Sequence, residues 1–221
     1  MEKRKVVVLF LLFATFVWQP LNAQFSVGGG LSSFHGLNID VNRFGLNVFV
    51  ESPRTTNNTL MVRASFMLPD KNTKTSEVEK IDPNDFSIPT KVEAEAVSKT
   101  SYFAVDGGTR FYLINDYDIG FAVYGGGHLK GILSSYSATY RLPDSLDAND
   151  YNTQTVGKSY SLLFGFGGNI GVKYQLPLRG ALLFDFGAEI ITGLYDPNLI
   201  LTNEISPLSF FFNLSYRFDW Y

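Results

Sequence analysis

The chain has 221 residues, 45% of them apolar and 18% charged, with 20 glycines, 20 phenylalanines, 12 tyrosines, no cysteine and a formal charge of −3. That length suits one domain or one barrel. Without cysteine neither a disulfide scaffold nor a thiolate metal site forms. The mild acidity argues against nucleic-acid binding, and joint enrichment in glycine and aromatics, both weak helix formers, argues against a helical protein.

The chain opens with the basic stretch Glu2-Lys3-Arg4-Lys5, a 13-residue apolar run from Val6 to Trp18, and a small residue, Ala23, before Gln24. This is the pattern of a secretory signal peptide over residues 1–23. The run is too short for a membrane-crossing helix, which needs roughly 20 apolar residues. Cleavage after Ala23 would leave residues 24–221 as the barrel domain, and losing Glu2, Lys3, Arg4 and Lys5 moves the formal charge from −3 to −5.

From there onward the repeating feature is two-residue alternation, the signature of strands. In chain order the apolar faces are Phe25, Val27, Leu31; Phe44, Leu46, Val48, Val50; Leu60, Val62, Ala64, Phe66, Leu68; and Phe103, Val105, Phe111, Leu113. The second four are Ile119, Phe121, Val123, Leu129; Leu162, Phe164, Phe166, Ile170, Val172, Tyr174; Leu182, Phe184, Phe186, Ala188, Ile190; and Leu208, Phe210, Phe212, Leu214, Tyr216, Phe218, Trp220. Short connections are expected at Pro53–Asn58, Asn115–Asp118 and Gln175–Gly180, and long ones at Pro69–Ser98, about Tyr140–Gly157 and Tyr195–Ser206, with His35–Arg43 intermediate. Turn chemistry marks the short ones as hairpins. Within the second outer connection Val92, Ala94 and Ala96 alternate with Glu93 and Glu95, so strands three and four are expected to protrude as a hairpin, with a bulge around Ser98–Ser101 to shift the phase.

Eight antiparallel strands fit a soluble barrel with an apolar interior or a transmembrane barrel with an apolar exterior. Volume separates the two, because an eight-stranded interior is only just wide enough for side chains. The apolar face is dense in Phe, Leu, Tyr and Trp, whereas the other face carries Gly28, Gly30, Gly45, Gly108, Gly120, Gly126, Gly165, Gly167, Gly171 and Gly187 with Ser26, Ser32, Ser65 and Ser215. Small residues belong inside and the bulky face belongs in lipid. The inner face also carries five acids, Glu51, Asp106, Asp185, Glu189 and Asp219, and five bases, Arg63, Arg110, Lys130, Lys173 and Arg217. Ions locked in a narrow lumen must pair, since an unpaired buried ion costs several kcal/mol. Arg63, Arg110, Asp185 and Arg217 are expected in one polar layer about 13 Å from the short-turn rim, giving a filled lumen without a continuous water channel.

The last residues, Tyr216, Phe218, Trp220 and Tyr221 within Tyr216-Arg217-Phe218-Asp219-Trp220-Tyr221, resemble the terminal assembly signal of bacterial outer-membrane proteins. With the signal peptide, eight strands and short/long loop alternation, the mature chain resembles the small OmpA/OmpX-type barrels of Gram-negative bacteria. That resemblance implies an all-β fold: an eight-stranded antiparallel up-and-down transmembrane β-barrel with short periplasmic turns, periplasmic termini and longer extracellular loops. It implies recognition by the barrel-assembly machinery and contact with outer-membrane lipid and lipopolysaccharide. Full-length OmpA proteins carry a peptidoglycan-binding domain after the barrel; none is expected to follow the barrel here.

Some small barrels of this kind modify lipid A, which takes a His, a Ser and an orienting acid. His35 and His128 are the histidines, and Ser32, Ser33 or Ser134 the candidate nucleophiles. Gly126-Gly127-His128-Leu129-Lys130 has no Ser in register, so His128 is expected as a lumen hydrogen-bonding group. Gly28-Gly29-Gly30, Gly125-Gly126-Gly127 and Gly165-Phe166-Gly167-Gly168 are not followed by helices, so they read as relief of crowding and not as phosphate loops. Asp144, Asp147, Asn149 and Asp150 lack the spacing of a calcium loop and read as a solvated acidic loop. Interfacial aromatics are expected at Tyr174, Phe218 and Trp220 on the periplasmic side and at Tyr102, Tyr136 and Tyr160 on the outer side. No metal and no cofactor is expected. The resulting reading is a structural or interaction protein working through its outer loops, as an adhesin or as an accessory subunit of a larger outer-membrane complex. The alternatives are a narrow porin-like or lateral-gate transporter of small or hydrophobic solutes, and a lipid A-modifying enzyme.

Overall fold

A computed structural model describes residues 25–37, 42–82, 88–117, 120–143, 146–153, 156–177, 180–193 and 207–220. The signal segment, Ile119, Asp144, the connection 195–206, Tyr221 and the side chain of Trp220 lie outside the described residues.

Alternation builds eight strands: β1 (Phe25–Gly36), β2 (Asn42–Thr55), β3 (Asn58–Glu79), β4 (Lys91–Ile114), β5 (Phe121–Arg141), β6 (Val156–Leu176), β7 (Gly180–Gly193) and β8 (Leu208–Trp220). Each pairs antiparallel with the next, and β8 closes on β1 to make a barrel. The closing seam runs without a register shift from Phe25 opposite Trp220 to Gly36 opposite Ser209. Closure leaves no sheet edge within the wall, so every strand in it has a partner on both sides.

The faces sort as volume requires. Leu31, Phe44, Leu46, Phe66, Leu129, Phe166, Ile170 and Leu214 are each more than half exposed on the outside. A continuous apolar coat of that extent is a surface for lipid. The inside, however, is not made of small residues alone: Phe34, Phe49, Met61, Tyr112, Tyr124, Leu183 and Phe211 are buried there. Glycines on the neighbouring strands make room for them. Gly28 stands opposite Phe49, Gly171 opposite Tyr124 and Gly187 opposite Phe211. A methyl group on any of the three would come within 2.2 to 2.4 Å of the facing ring. Gly120 does not belong to this set; it lies exposed in the β4–β5 turn.

Wall height is uneven. Strands β3 to β6 have 22, 24, 21 and 21 residues, against 12, 14, 14 and 13 for β1, β2, β7 and β8. About eight to ten extra residues add roughly 25–30 Å of strand, so β3–β6 rise beyond the apolar belt as a rampart at the long-loop end. The phase shift occurs on β3 and not around Ser98–Ser101: Met67 pairs Tyr102 and Asp70 pairs Thr100, leaving Leu68 and Pro69 opposite Ser101. Pro69 has no N–H to give to the ladder, which makes this the natural place for a bulge. Strand β4 keeps one phase from Val92 to Tyr112, with Leu113 and Ile114 both outside where its pairing to β5 shifts, and that phase puts Tyr102 inside, only 6% exposed. Tyr136 likewise falls on the inner face of β5, half-buried, while Tyr160 and Tyr174 stand on the outside.

Replacing Gly171 with valine forces its branched side chain into the Tyr124 ring and is expected to cost about 1–3 kcal/mol. Gly127→Ala, whose new methyl meets only a carbonyl oxygen 3.6 Å away, should cost far less. Urea unfolding of the detergent-refolded barrel measures both, and Tyr124→Leu should recover part of the Gly171→Val loss.

Candidate functional site

All ten of the charged residues singled out in the sequence sit on the inner face, and nine of them are buried. Lys130 is the tenth, with its side chain 12% exposed. An eleventh, Arg43 on β2, is also buried, its guanidinium 4.0 Å from the centre of the Tyr102 ring. The described lumen thus holds six bases and five acids, not five of each. Arg43 escapes a sequence reading because it lies at the strand start, next to a loop.

Toward the short-turn end two carboxylates are saturated with donors. Glu51 on β2 takes Arg110 Nη1 at 2.9 Å, Arg217 Nη1 at 3.4 Å, Thr59 Oγ1 at 2.6 Å and Tyr112 Oη at 3.2 Å. Asp185 on β7 takes Arg110 Nη2 at 3.0 Å, Arg63 Nη2 at 3.2 Å, Tyr124 Oη at 2.7 Å and Asn169 Nδ2 at 3.2 Å. Each carboxylate has about four lone-pair sites, so four donors fill it. Arg110 joins the two acids from β4, and the chain Arg63, Asp185, Arg110, Glu51, Arg217 runs across the lumen. Arg217 goes on to Asp219 at 2.7 Å, which also accepts from Ser26 at 2.7 Å and Gln175 at 2.9 Å.

The β4–β5 turn reaches into this end. Asn115 has φ of 58°, a left-handed value that asparagine tolerates better than most residues. That reversal brings Tyr117 inward to 4% exposure, under the Arg217 guanidinium at 3.9 Å from its ring centre. Tyr117 Oη hydrogen-bonds Ser26 Oγ, and its carbonyl accepts from Lys173. Main-chain oxygens of the turn thus hold the Lys173 ammonium. In the sequence Asn115–Asp118 reads only as a tight turn; that its tyrosine plugs the barrel depends on the Arg217 and Lys173 waiting on other strands.

The long-loop half is organised differently. Lys130 Nζ and His128 Nε2 both approach Glu189 Oε2, at 2.5 and 3.0 Å, and His128 meets the Phe211 ring edge-on. Glu189 Oε1 is buried without a hydrogen-bond partner. Asp106, opposite both Arg63 and Lys130 in the ladders, has neither as a partner, because Arg63 turns to Asp185 and Lys130 to Glu189. Between the two halves a neutral group of Ser32, Asn47, Asn213 and Ser215 hydrogen-bonds across the seam at 2.6 to 3.2 Å.

The remaining candidates separate. Ser33 Oγ and His35 Nε2 are 2.7 Å apart, both on the outer face of β1, with His35 edge-on to Phe44 and Phe212. Ser32 and Ser134 point inward and are buried, away from that pair. Asp147 accepts from the main chain and side chain of Asn149, both at 2.9 Å, and so caps the 3-10 turn Ala148–Asp150. The glycine triples lie within β1 and β5, and Gly165, Gly167 and Gly168 within β6. Tyr216 and Phe218 project outward from β8.

Among solved structures, Neisserial surface protein A (NspA) superposes with a TM-score of 0.53 at 13% identity, over 89% of this chain and 97% of that one. A major outer membrane protein from Thermus thermophilus superposes with a TM-score of 0.52 at 14% identity, over 90% and 100%. The fold is that of a small outer-membrane β-barrel. No family model and no curated protein sequence matches the chain, so the likeness is one of architecture: closed, eight-stranded, antiparallel and up-and-down. In such a barrel the apolar coat faces hydrocarbon and the ion network is sealed behind it.

Asp185→Asn would leave Arg63 and Arg110 buried beside a neutral amide and is expected to destabilise this outer-membrane-type barrel by about 3–5 kcal/mol. Asp106→Asn removes no donor and should change the urea midpoint far less. Comparing the two unfolding curves in one detergent checks the assignment of the saturated acid.

Proposed function

We propose that this chain is an integral protein of a bacterial outer membrane whose working part is the β3–β6 rampart, held outside the cell as a docking surface for a partner. Short turns and termini then face the periplasm. The observation that carries this reading is that the rampart is folded on its own terms. Val78 on β3, Ala94 on β4 and Tyr151 after the 3-10 turn form a buried cluster, with Ile88, Val92, Tyr140, Leu142 and Leu146 packed on it.

The segment around Tyr151 is laced to the hairpin. Ile81 N donates to Asp150 O at 2.9 Å, Asn152 N to Glu79 O at 2.8 Å, and Tyr151 Oη to Pro89 O at 3.2 Å. At the hairpin tip Lys91 lies 3.1 Å from Glu79 and 3.8 Å from Glu77, and the Glu79 hydrogen bond holds its ammonium above the ordinary lysine range. A loop selected only to connect strands would not need a second small core; a surface presented in one shape does. An adhesin or an accessory subunit of a larger envelope complex uses such a surface. Lipid and lipopolysaccharide surround the apolar coat in this reading, and the outward Tyr216 and Phe218 of β8 belong to the strand read by the assembly machinery.

The filled lumen argues against solute conduction, since Arg110 ties β2 to β7 through Glu51 and Asp185. In planar bilayers the intact protein should show no steady openings; stable single-channel steps would favour a transporter.

The docking reading is tested by pull-down from gently solubilised outer membranes. A partner should accompany the intact tagged chain at fixed stoichiometry and be lost with Ala94→Asp, which puts a charge in the rampart core. Replacement of residues 73–97 by Asn-Gly should also lose it. Equal recovery with all three chains would defeat the reading.

A further inference from the structure

On the outside of the rampart's base the charges do not balance. The last apolar row shared by β3–β6 is Phe66, Phe103, Leu133 and Leu162, each opposite the next in the ladders. Two outward rungs further along, Lys71 pairs Lys99, Lys99 pairs Ser137, and Lys158 lies beside Ser137 where the β5–β6 pairing shifts. All three lysines are exposed. Three ammonium groups therefore stand at one height across four strands.

This row has no counter-charge. Lys71 and Lys99 face each other directly, a like-charge pair that destabilises a sheet unless something neutralises it. None of the three lysines has an ion pair among the described residues. The outward rung below holds Ser101, Ser135 and Tyr160, and the rung above holds Thr73, Val97 and Thr139. Outward acids begin only beyond that, at Glu95 and then at Glu77 opposite Glu93. Asp70 is next to Lys71 in sequence, but it pairs Thr100 and shares the inner face of that buried residue.

Height selects the occupant. Four residues separate Lys99 from Phe103, roughly 13 Å along the strand and about 10 Å along the barrel axis once tilt is included. A lysine can lay its stem back along apolar surface while its head stays in polar surroundings. Lys158 already bends this way, with its ammonium 5.5 Å from the centre of the Tyr160 ring, one rung nearer the apolar belt. Tyr160 itself stands where interfacial aromatics stand. The lysine row thus lies at the depth of lipid headgroups, where clustered cations attract anionic lipid. A protein docking on the rampart from outside would meet the acidic rungs first.

We propose that Lys71, Lys99 and Lys158 form a binding site for the phosphate groups of an anionic glycolipid in the outer leaflet, with its acyl chains along Phe103 and Leu162. Lys71 and Lys99, about 5 Å apart, hold one phosphate between them, and Lys158, two strands from Lys99 and about 10 Å away, holds a second. The site rests on the outer-membrane reading above, with the long loops outside.

The test uses the full-length mature barrel refolded in zwitterionic detergent, with diphosphoryl lipid A as the probe and lipid A stripped of both phosphates as its neutral twin. Native mass spectra should show one diphosphoryl lipid per barrel, lost progressively as salt is raised, and none of the neutral twin. Lys71→Gln with Lys99→Gln should weaken binding about tenfold or more, the scale of a lost hydrogen bond to a charged group, while Lys71→Arg with Lys99→Arg keeps it. Lys74→Gln, on the inner face of the same strand opposite Ala96, should leave it unchanged. Equal binding of the neutral twin, an affinity unmoved by the double Gln variant, or an equal loss with Lys74→Gln would overturn the proposal. So would displacement of the lipid by inorganic phosphate at matching concentration, which would mark a site for the free ion. Envelope fractionation separates this proposal from the reading beneath it: a chain found in the outer membrane without lipid A affinity defeats the site alone, whereas a chain found elsewhere defeats the location and the site with it.

Discussion

A charge inside an eight-stranded barrel has nowhere to go. The wall is one residue thick, lipid lies beyond it, and the bore is too narrow for a hydration shell. Arg110 meets this constraint by standing between Glu51 and Asp185 at 2.9 and 3.0 Å. Much of the short-turn half is arranged around that bridge: Thr59 and Tyr112 complete Glu51, Tyr124 and Asn169 complete Asp185, and Arg63 and Arg217 extend the chain to β3 and β8. Because the donors come from strands distant in sequence, a one-residue slip of any strand that carries a lumen charge would turn that charge toward lipid. The network therefore helps to hold the register as well as to fill the bore.

Aromatic side chains do two jobs here. Outside they form the coat, and inside they carry the polar network, Tyr112 and Tyr124 donating to acids while their rings exclude water. The second job is possible because glycine stands opposite each large inward ring at Phe49, Tyr124 and Phe211. Glycine and aromatic excess are thus one feature seen from both strands of a pair, a complementarity also used to steady glycine-rich sheets. The two ends of the lumen then differ in kind: saturated acids and a tucked tyrosine at one, and at the other Glu189 taking both of its donors on a single oxygen. Beyond that half the wall rises on one side only, where a bulge at Pro69 lets β3 change phase and turn Val78 toward the rampart's own core.

Eight strands and their lipid-facing sides are readable from period-two alternation, because that pattern is local. So are the ten inner charges, since they share a face with the small residues. What the text of the chain hides has physical causes of its own. Tyr102 and Tyr136 look like interfacial anchors by their place along the strands, but each keeps the parity of its strand's inner face, with Ala104 on β4 and Ser134 on β5. Arg43 escapes because its neighbours on the loop side show no pattern. Tyr117 escapes because a turn's direction, into the bore or away from it, depends on Arg217 and Lys173, each on another strand. Gly120 falls inside only when parity is counted across a turn, where parity does not hold.

By itself, then, the sequence determined a closed sheet, its strand count and which side meets lipid, all consequences of side-chain volume and two-residue periodicity. Only the tertiary structure decided which acid meets which base, that Asp106 meets none among the described residues, and that the long β3–β4 connection is a folded wall. Ion pairing in the lumen joins residues as far as 166 positions apart, as between Glu51 and Arg217, and no local pattern encodes the distance between two side chains across a bore.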